Sequence, residues 1–328
     1  MAAVSLHAAD TLSPVATKDR KVIRRWALAG DPRGVAIGAD GTVYGGLAES
    51  QSVVAIDPVS GAIRKRVVLD SPDIASTKEL VTLRTNAERT RLFIANGSDE
   101  SAMILSLPDL AVLREITREG ETIRDFVPDP KGRYLYLLGR QVHVYDKDGK
   151  TELRTLDVDD PMAIAASATS LAVIATEDFG NAKATAVTLF DPKNFAQLSR
   201  EPLQTQESIE AAMFAANGRS LLAFSRNTLF EKSLSARAMV NSNRVCLPEG
   251  SGPQVAVLAG SETLLVYGER RCSASGVITA SPRGVTPASL YGANAYALAF
   301  DPKSNALVAT DRAGTLTIYH VPRAAIAQ

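Results

Sequence analysis

The sequence predicts an all-β chain folded as a seven-bladed β-propeller, and three observations carry that prediction. A pattern of short strands recurs from end to end with a period of about forty-four residues, the spacing of propeller blades. Each copy reads as four strands punctuated by tight turns. The last copy is one strand short, while a strand of the missing type stands alone near the N-terminus. Pairing the two ends would close the ring and remove an exposed sheet edge.

The clearest copy spans residues 31–69, DPRGVAIGADGTVYGGLAESQSVVAIDPVSGAIRKRVVL. Its apolar runs, such as Val35-Ala36-Ile37, are nearly continuous, as suits strands covered on both faces by neighbouring sheets. A Gly- and Asp-rich turn follows the first strand, and Pro58-Val59-Ser60-Gly61 leads into a charged fourth strand. Such residues supply the geometry that tight turns require. Weaker copies occupy 122–156, 208–225 and 294–322. First turns fall near residues 41, 87, 132, 169, 218, 261 and 304, which gives seven blades. The match is poorest around 167 and 261, so six and eight blades stay open.

The fourth strands share a trait. Ile63-Arg64-Lys65-Arg66-Val67, Leu113-Arg114-Glu115-Ile116, Leu153-Arg154-Thr155-Leu156 and Leu198-Ser199-Arg200-Glu201 all carry charge in mid-strand. Charge on an outermost strand discourages edge-to-edge association. The final copy supplies strands at 295–300, 306–310 and 315–321 only. Residues 21–28, KVIRRWAL, provide the fourth, with the same mid-strand arginines.

At 328 residues and 45% hydrophobic composition, the chain has ample material for a core, and residues 21–328 read as one domain. Aromatic residues make up 5% and Trp26 is the only tryptophan, which is poor for a WD-repeat protein. Lysine plus arginine and aspartate plus glutamate number 36 each. No net field collects nucleic acid or anionic lipid, so neither is an expected partner. No apolar run reaches the length of a spanning helix. Residues 1–20 read either as a signal-like remnant, from the small residues of Ala2 to Ala9, or as a disordered tail. Cys246 and Cys272 fall in the two least regular copies and form either a disulfide or two buried thiols.

The phrases DPRGVAIGADGTVYGG, RLFIANGSDESAMILSLPDLAVLREI (91–116) and IRDFVPDPKGRYLYLLG (123–139) resemble the bacterial YVTN-type repeat, within the wider group of NHL-like propellers. The resemblance covers roughly residues 21–322 and is weakest over 226–290. It implies an extracytoplasmic propeller, periplasmic or secreted, and no catalytic motif of the family's enzymes carries over to this chain.

The loop entering the first strand of a blade points to the central funnel. The residue eight before each first-turn position gives Arg33, Glu79, Arg124, Glu210 and Tyr296, with Gln254 in a similar register. Two residues earlier stand Asp31 and, in the fourth copy, Asp160. Groups of both charges would converge on one mouth, as in ligand sites where a few polar side chains fix orientation, although any propeller channel is wet and polar. Other signals are bland. Residues 146–152, DKDGKTE, suit a hairpin turn better than a calcium loop, because Lys147 and Lys150 oppose a cation. His143 alternates with Val142 and Val144 and reads as an ordinary strand residue.

The reading is therefore a binding or scaffolding module without catalytic activity or cofactor, taking a protein or small-molecule ligand at the funnel face. The alternative is a lactonase-like hydrolase working through funnel carboxylates. A redox domain is a third reading, weakened by the scarcity of histidine and tryptophan.

Overall fold

Apolar runs broken by turn residues become strands and hairpins in the computed structural model, and no helix occurs among the described residues. These are residues 13–14, 22–69, 81–96, 100–178, 183–203, 208–214, 220–225, 228–233, 295–301, 303–311 and 313–320, with short strands at 245–246, 254–257, 264–267, 278–281 and 284–287.

Seven antiparallel sheets lie among them. The first holds Pro32–Ile37, Val43–Leu47, Ser52–Ile56 and Ile63–Val68. The second holds Val81–Thr85, Arg91–Asn96, Ser101–Ser106 and Val112–Thr117. The third holds Asp125–Pro128, Tyr134–Leu138, Val142–Asp146 and Glu152–Leu156. The fourth runs from Pro161–Ala166 through Leu171–Asp178 and Lys183–Phe190 to Gln197–Pro202. In the fifth, Ile209–Phe214, Ser220–Ser225 and Thr228–Ser233 are followed by Val245–Cys246, and the sixth begins at Gln254–Val257.

The remaining sheet is built from both ends of the chain. Ala295–Asp301, Ala306–Asp311 and Thr315–His320 are joined by Val22–Ala27, with Ser13–Pro14 as a short strand outside it. Val22 pairs with Tyr319 and Ala27 with Thr315, so the solitary N-terminal strand joins the last copy as expected.

Order along the chain is order in space. The innermost strand Pro32–Ile37 lies between Ala295–Asp301 and Val81–Thr85, and the succession continues through Asp125–Pro128 and Pro161–Ala166 to Ile209–Phe214. Gln254–Val257 lies on the other side of Ala295–Asp301. Apolar clusters fill the gaps between neighbours. Trp26, Leu28, Leu316 and Ile318 of the shared sheet pack with Val54 and Ile56 of the first. Tyr44, Val53 and Val67 of the first meet Leu83, Leu92 and Leu105 of the second. Each fully buried side chain of this size contributes roughly 1.5–3 kcal/mol. One ion pair links two sheets that are not neighbours in this order. Arg89, in the first turn of the second sheet, reaches Asp301 of the shared sheet at 2.8 Å, spanning the end of the first sheet. Four-stranded antiparallel sheets packed in this way are the blades of a β-propeller.

The turn between third and fourth strands does a second job. Its left-handed residue is Gly61, Leu110, Gly149 and Phe195 in four successive sheets, with φ between 50° and 72°. Each faces the preceding sheet. Leu110 is wholly buried in the cluster shared with Tyr44 and Val53, and the Phe195 ring meets Tyr134 edge-on at 5.1 Å. Where glycine stands, the neighbour fills the space: a Cβ on Gly61 would lie 2.8 Å from the Trp26 ring, and one on Gly149 would lie 2.9 Å from Ile116.

Candidate functional site

Each innermost strand begins at one end of the sheets, and in four of them it begins with a β-bulge. The pairing register shifts across Pro32/Gly34, Pro161/Ala163, Ile209/Ala211 and Ala295/Ala297. The extra residue is therefore Arg33, Met162, Glu210 or Tyr296. A bulge releases one residue from the ladder and re-aims it, which is why bulges gather at rims and binding sites. Sequence spacing placed Arg33, Glu210 and Tyr296 in this register. It did not find Met162, because the bulge is a property of the backbone and the four residues share no chemistry.

Two entry loops match in further detail. Asp31 and Asp160 each precede a proline and adopt left-handed backbones, at φ 54° and 42°. Non-glycine residues in that region store on the order of 1–3 kcal/mol of strain and cluster at functional sites. Asp31 accepts a bond from Arg33 Nε at 2.9 Å, so this pair forms one charged unit. Half-buried Met162 receives the hydroxyls of Thr176 at 3.5 Å and Ser208 at 3.7 Å on its sulfur. Glu210 is exposed on its strand. Gln254 opens the innermost strand of the sixth sheet. Glu79 and Cys272 lie outside the described residues, whereas Cys246 ends the outermost strand of the fifth sheet.

Arg124 is placed beside the mouth but is engaged in holding it together. Its Nη2 donates to Gly139 O at 2.5 Å and to Pro161 O of the next sheet. Burial pulls this guanidinium below its ordinary value, against the fields of Asp160 and Glu121. One sheet boundary earlier, Arg84 Nε and Nη2 grip both Asp125 oxygens at 2.8 and 2.7 Å. That bidentate bridge joins the second and third innermost strands. An arginine within the apolar run Val81-Thr82-Leu83-Arg84 was the sequence signal for it.

The structure corrects the reading of His143. It stands on a third strand as alternation required, but it is 1% exposed and its ring lies between two carboxylates. Nε2 is 3.1 Å from both oxygens of Glu121, and Nδ1 is 2.8 Å from Glu152 Oε1. Arg118 bonds both glutamates, at 3.2 and 2.5 Å. Burial opposes ionisation of Glu121 and Glu152, yet the bonds from His143 and its neighbours hold both below the ordinary carboxylate range. The 146–152 segment is the expected turn, with Asp146 Oδ1 accepting the Asp148 and Lys150 amides at 3.2 and 2.7 Å.

No family model matches this sequence, and no curated protein matches it. Solved structures do resemble the fold. A chain from a crystal structure of the mitotic checkpoint complex superposes with a TM-score of 0.70 at 13% identity, covering 96% of this chain and 100% of that one. A chain of the Kuenenia stuttgartiensis hydrazine synthase gives a TM-score of 0.70 at 11% identity, covering 89% and 96%. At such identities the similarity shows the β-propeller fold and nothing finer.

Proposed function

We propose that this chain is an extracytoplasmic binding or scaffolding module, a closed ring of seven blades over residues 21–328 akin to the YVTN-type propellers. Its partner, a protein or a small molecule, docks at the funnel mouth around Asp31, Arg33, Asp160, Met162 and Glu210. The recurring bulge carries this reading, since in four of the sheets it takes one residue of the innermost strand out of the pairing ladder at the same end. One structural neighbour belongs to a mitotic checkpoint complex and the other to a hydrazine synthase, so the fold alone does not choose between scaffold and enzyme. The mouth favours recognition: Asp31 is ion-paired with Arg33 and Asp160 lies in the field of Arg124. Balanced charge argues against nucleic acid as the partner.

The test is quantitative capture from an envelope extract, with wild-type protein and an Arg33→Ala/Glu210→Ala double variant. A partner held at the mouth should be recovered in near-stoichiometric amount by the wild type and lost by the variant. Melting should change little, because one partly exposed ion pair and one exposed carboxylate contribute about 0–1 kcal/mol each. Equal recovery by both proteins excludes the mouth as the docking site, and turnover of a lactone panel by the wild type alone would favour the hydrolase.

A further inference from the structure

The outer strands of the shared and first sheets differ in charge from the rest. Val22–Ala27 holds Arg24 and Arg25, and Ile63–Val68 holds Arg64, Lys65 and Arg66, with no acid in either. Among the described outer strands, every other one that carries an arginine carries a glutamate too: Glu115, Glu152 and Glu201. The two cationic strands belong to sheets that pack against each other. Asp311 pairs with Arg25, and Asp57 pairs with Arg64. Lys65 and Arg66 meet no acid among the described residues, and Arg24 donates only to the carbonyls of Val59 and Ile23, at 3.3 Å each. A chain of zero net charge thus gathers positive charge on one stretch of its outer wall.

Register places two of these cations on one cleft. Arg66 stands opposite Val54, and Arg24 stands opposite Ile318. Opposite residues share a face of their sheet, and Val54 and Ile318 lie in the core between the first and shared sheets. Arg24 and Arg66 therefore flank the outer opening of that gap, with exposed Val68 on the face of Arg66 and exposed Val59 beside Arg24. Backbone groups face outward on the same edge. The Leu69 amide bonds Gln51 O at 2.7 Å, so Lys65 and Val67 turn their N–H and C=O inward while Arg66 and Val68 turn theirs outward. No strand lies beyond Ile63–Val68 among the described residues. The neighbouring edge does take one, since Ser13 and Pro14 pair with Ala27 and Trp26.

We propose that an acidic, extended segment of a partner protein adds to Ile63–Val68 as an antiparallel fifth strand, its carboxylates opposite Arg66 and in the field of Arg24. Strand addition draws affinity from main-chain bonds and specificity from alternate side chains. Charge that repels a second copy of this edge attracts an acidic strand. A phosphate chain has no donors for the outward carbonyls of Arg66 and Val68, which favours a peptide over nucleic acid or lipid. This wall is separate from the mouth, and the inference does not rest on the mouth reading.

The probe is a fluorescein-labelled octapeptide of alternating Glu and Val, titrated against the full chain by fluorescence anisotropy. Wild type should bind it and leave the Lys-Val counterpart free. Arg24→Gln/Arg66→Gln should weaken binding about tenfold, the loss of two partly exposed ion pairs, whereas Arg154→Gln on the third sheet should not. The same peptide N-methylated at its glutamates cannot donate to the edge and should fail to bind. Equal affinity for that N-methylated peptide overturns strand addition, with no variant needed. Unchanged affinity in Arg24→Gln/Arg66→Gln overturns the placement. Oligothymidylate or phosphatidylserine vesicles bound as tightly as the peptide assign the wall to phosphate and overturn the protein partner. Absence of peptide binding by the wild type overturns the proposal outright.

Discussion

The left-handed residue in the turn between third and fourth strands sets how closely two blades approach. At Gly61 the space a side chain would need is occupied by the only tryptophan, itself 8% exposed. Gly61→Ala should therefore cost about 1–3 kcal/mol through crowding and a disfavoured backbone, read as a lower denaturation midpoint. Leu110→Gly should cost a similar or larger amount for the opposite reason, by emptying an occupied pocket. Asp57, which opens the same turn as Gly61, carries a pH signature. The Ser60 and Val59 amides and the Arg64 guanidinium hold its carboxyl down to about 2, against a small upward push from burial. A folded pKa below the unfolded value of 3.8 means stabilisation that is complete above that value and lost as pH falls towards 2. Urea midpoints measured down to acid pH should fall less steeply for Asp57→Asn than for wild type.

Elements were legible where their signal is local. Alternating or continuous apolar runs with Gly, Asp and Pro turns located the strands of the first three sheets, and mid-strand arginines marked the outer ones. What stayed hidden depends on chain segments meeting in space. His143 finds Glu121 twenty-two residues before it and Glu152 nine after it, on elements that a period of two does not connect. Arg124 matched the register of Arg33, yet its bonds to Gly139 and Pro161 make it a clamp between sheets. Arg124→Ala should accordingly lower stability by about 1–3 kcal/mol, where Arg33→Ala leaves it nearly unchanged, a contrast that thermal melts of the two single variants will show. The strand Val22–Ala27 is tested by truncation. Removing residues 1–29 should abolish cooperative unfolding, because Thr315–His320 loses its partner, whereas removing 1–18 should do little.

For the whole molecule, the proposed extracytoplasmic location predicts that Cys246 and Cys272 are oxidised to a disulfide. Thiol titration of the denatured, unreduced protein should find no free thiol, and two per chain would remove that support. The shared sheet has a consequence of another kind, in time. Its partners Val22 and Tyr319 stand about 300 residues apart, so at ~5–20 residues per second the first strand emerges some 15–60 s before its mate exists. Contacts of such sequence separation form late in folding. Throughout that wait Val22–Ala27 is an unclaimed sticky segment, with Ile23 and Trp26 on display. Arg24 and Arg25 stand in the middle of that segment, where charge disfavours pairing with a wrong strand until the C-terminus arrives.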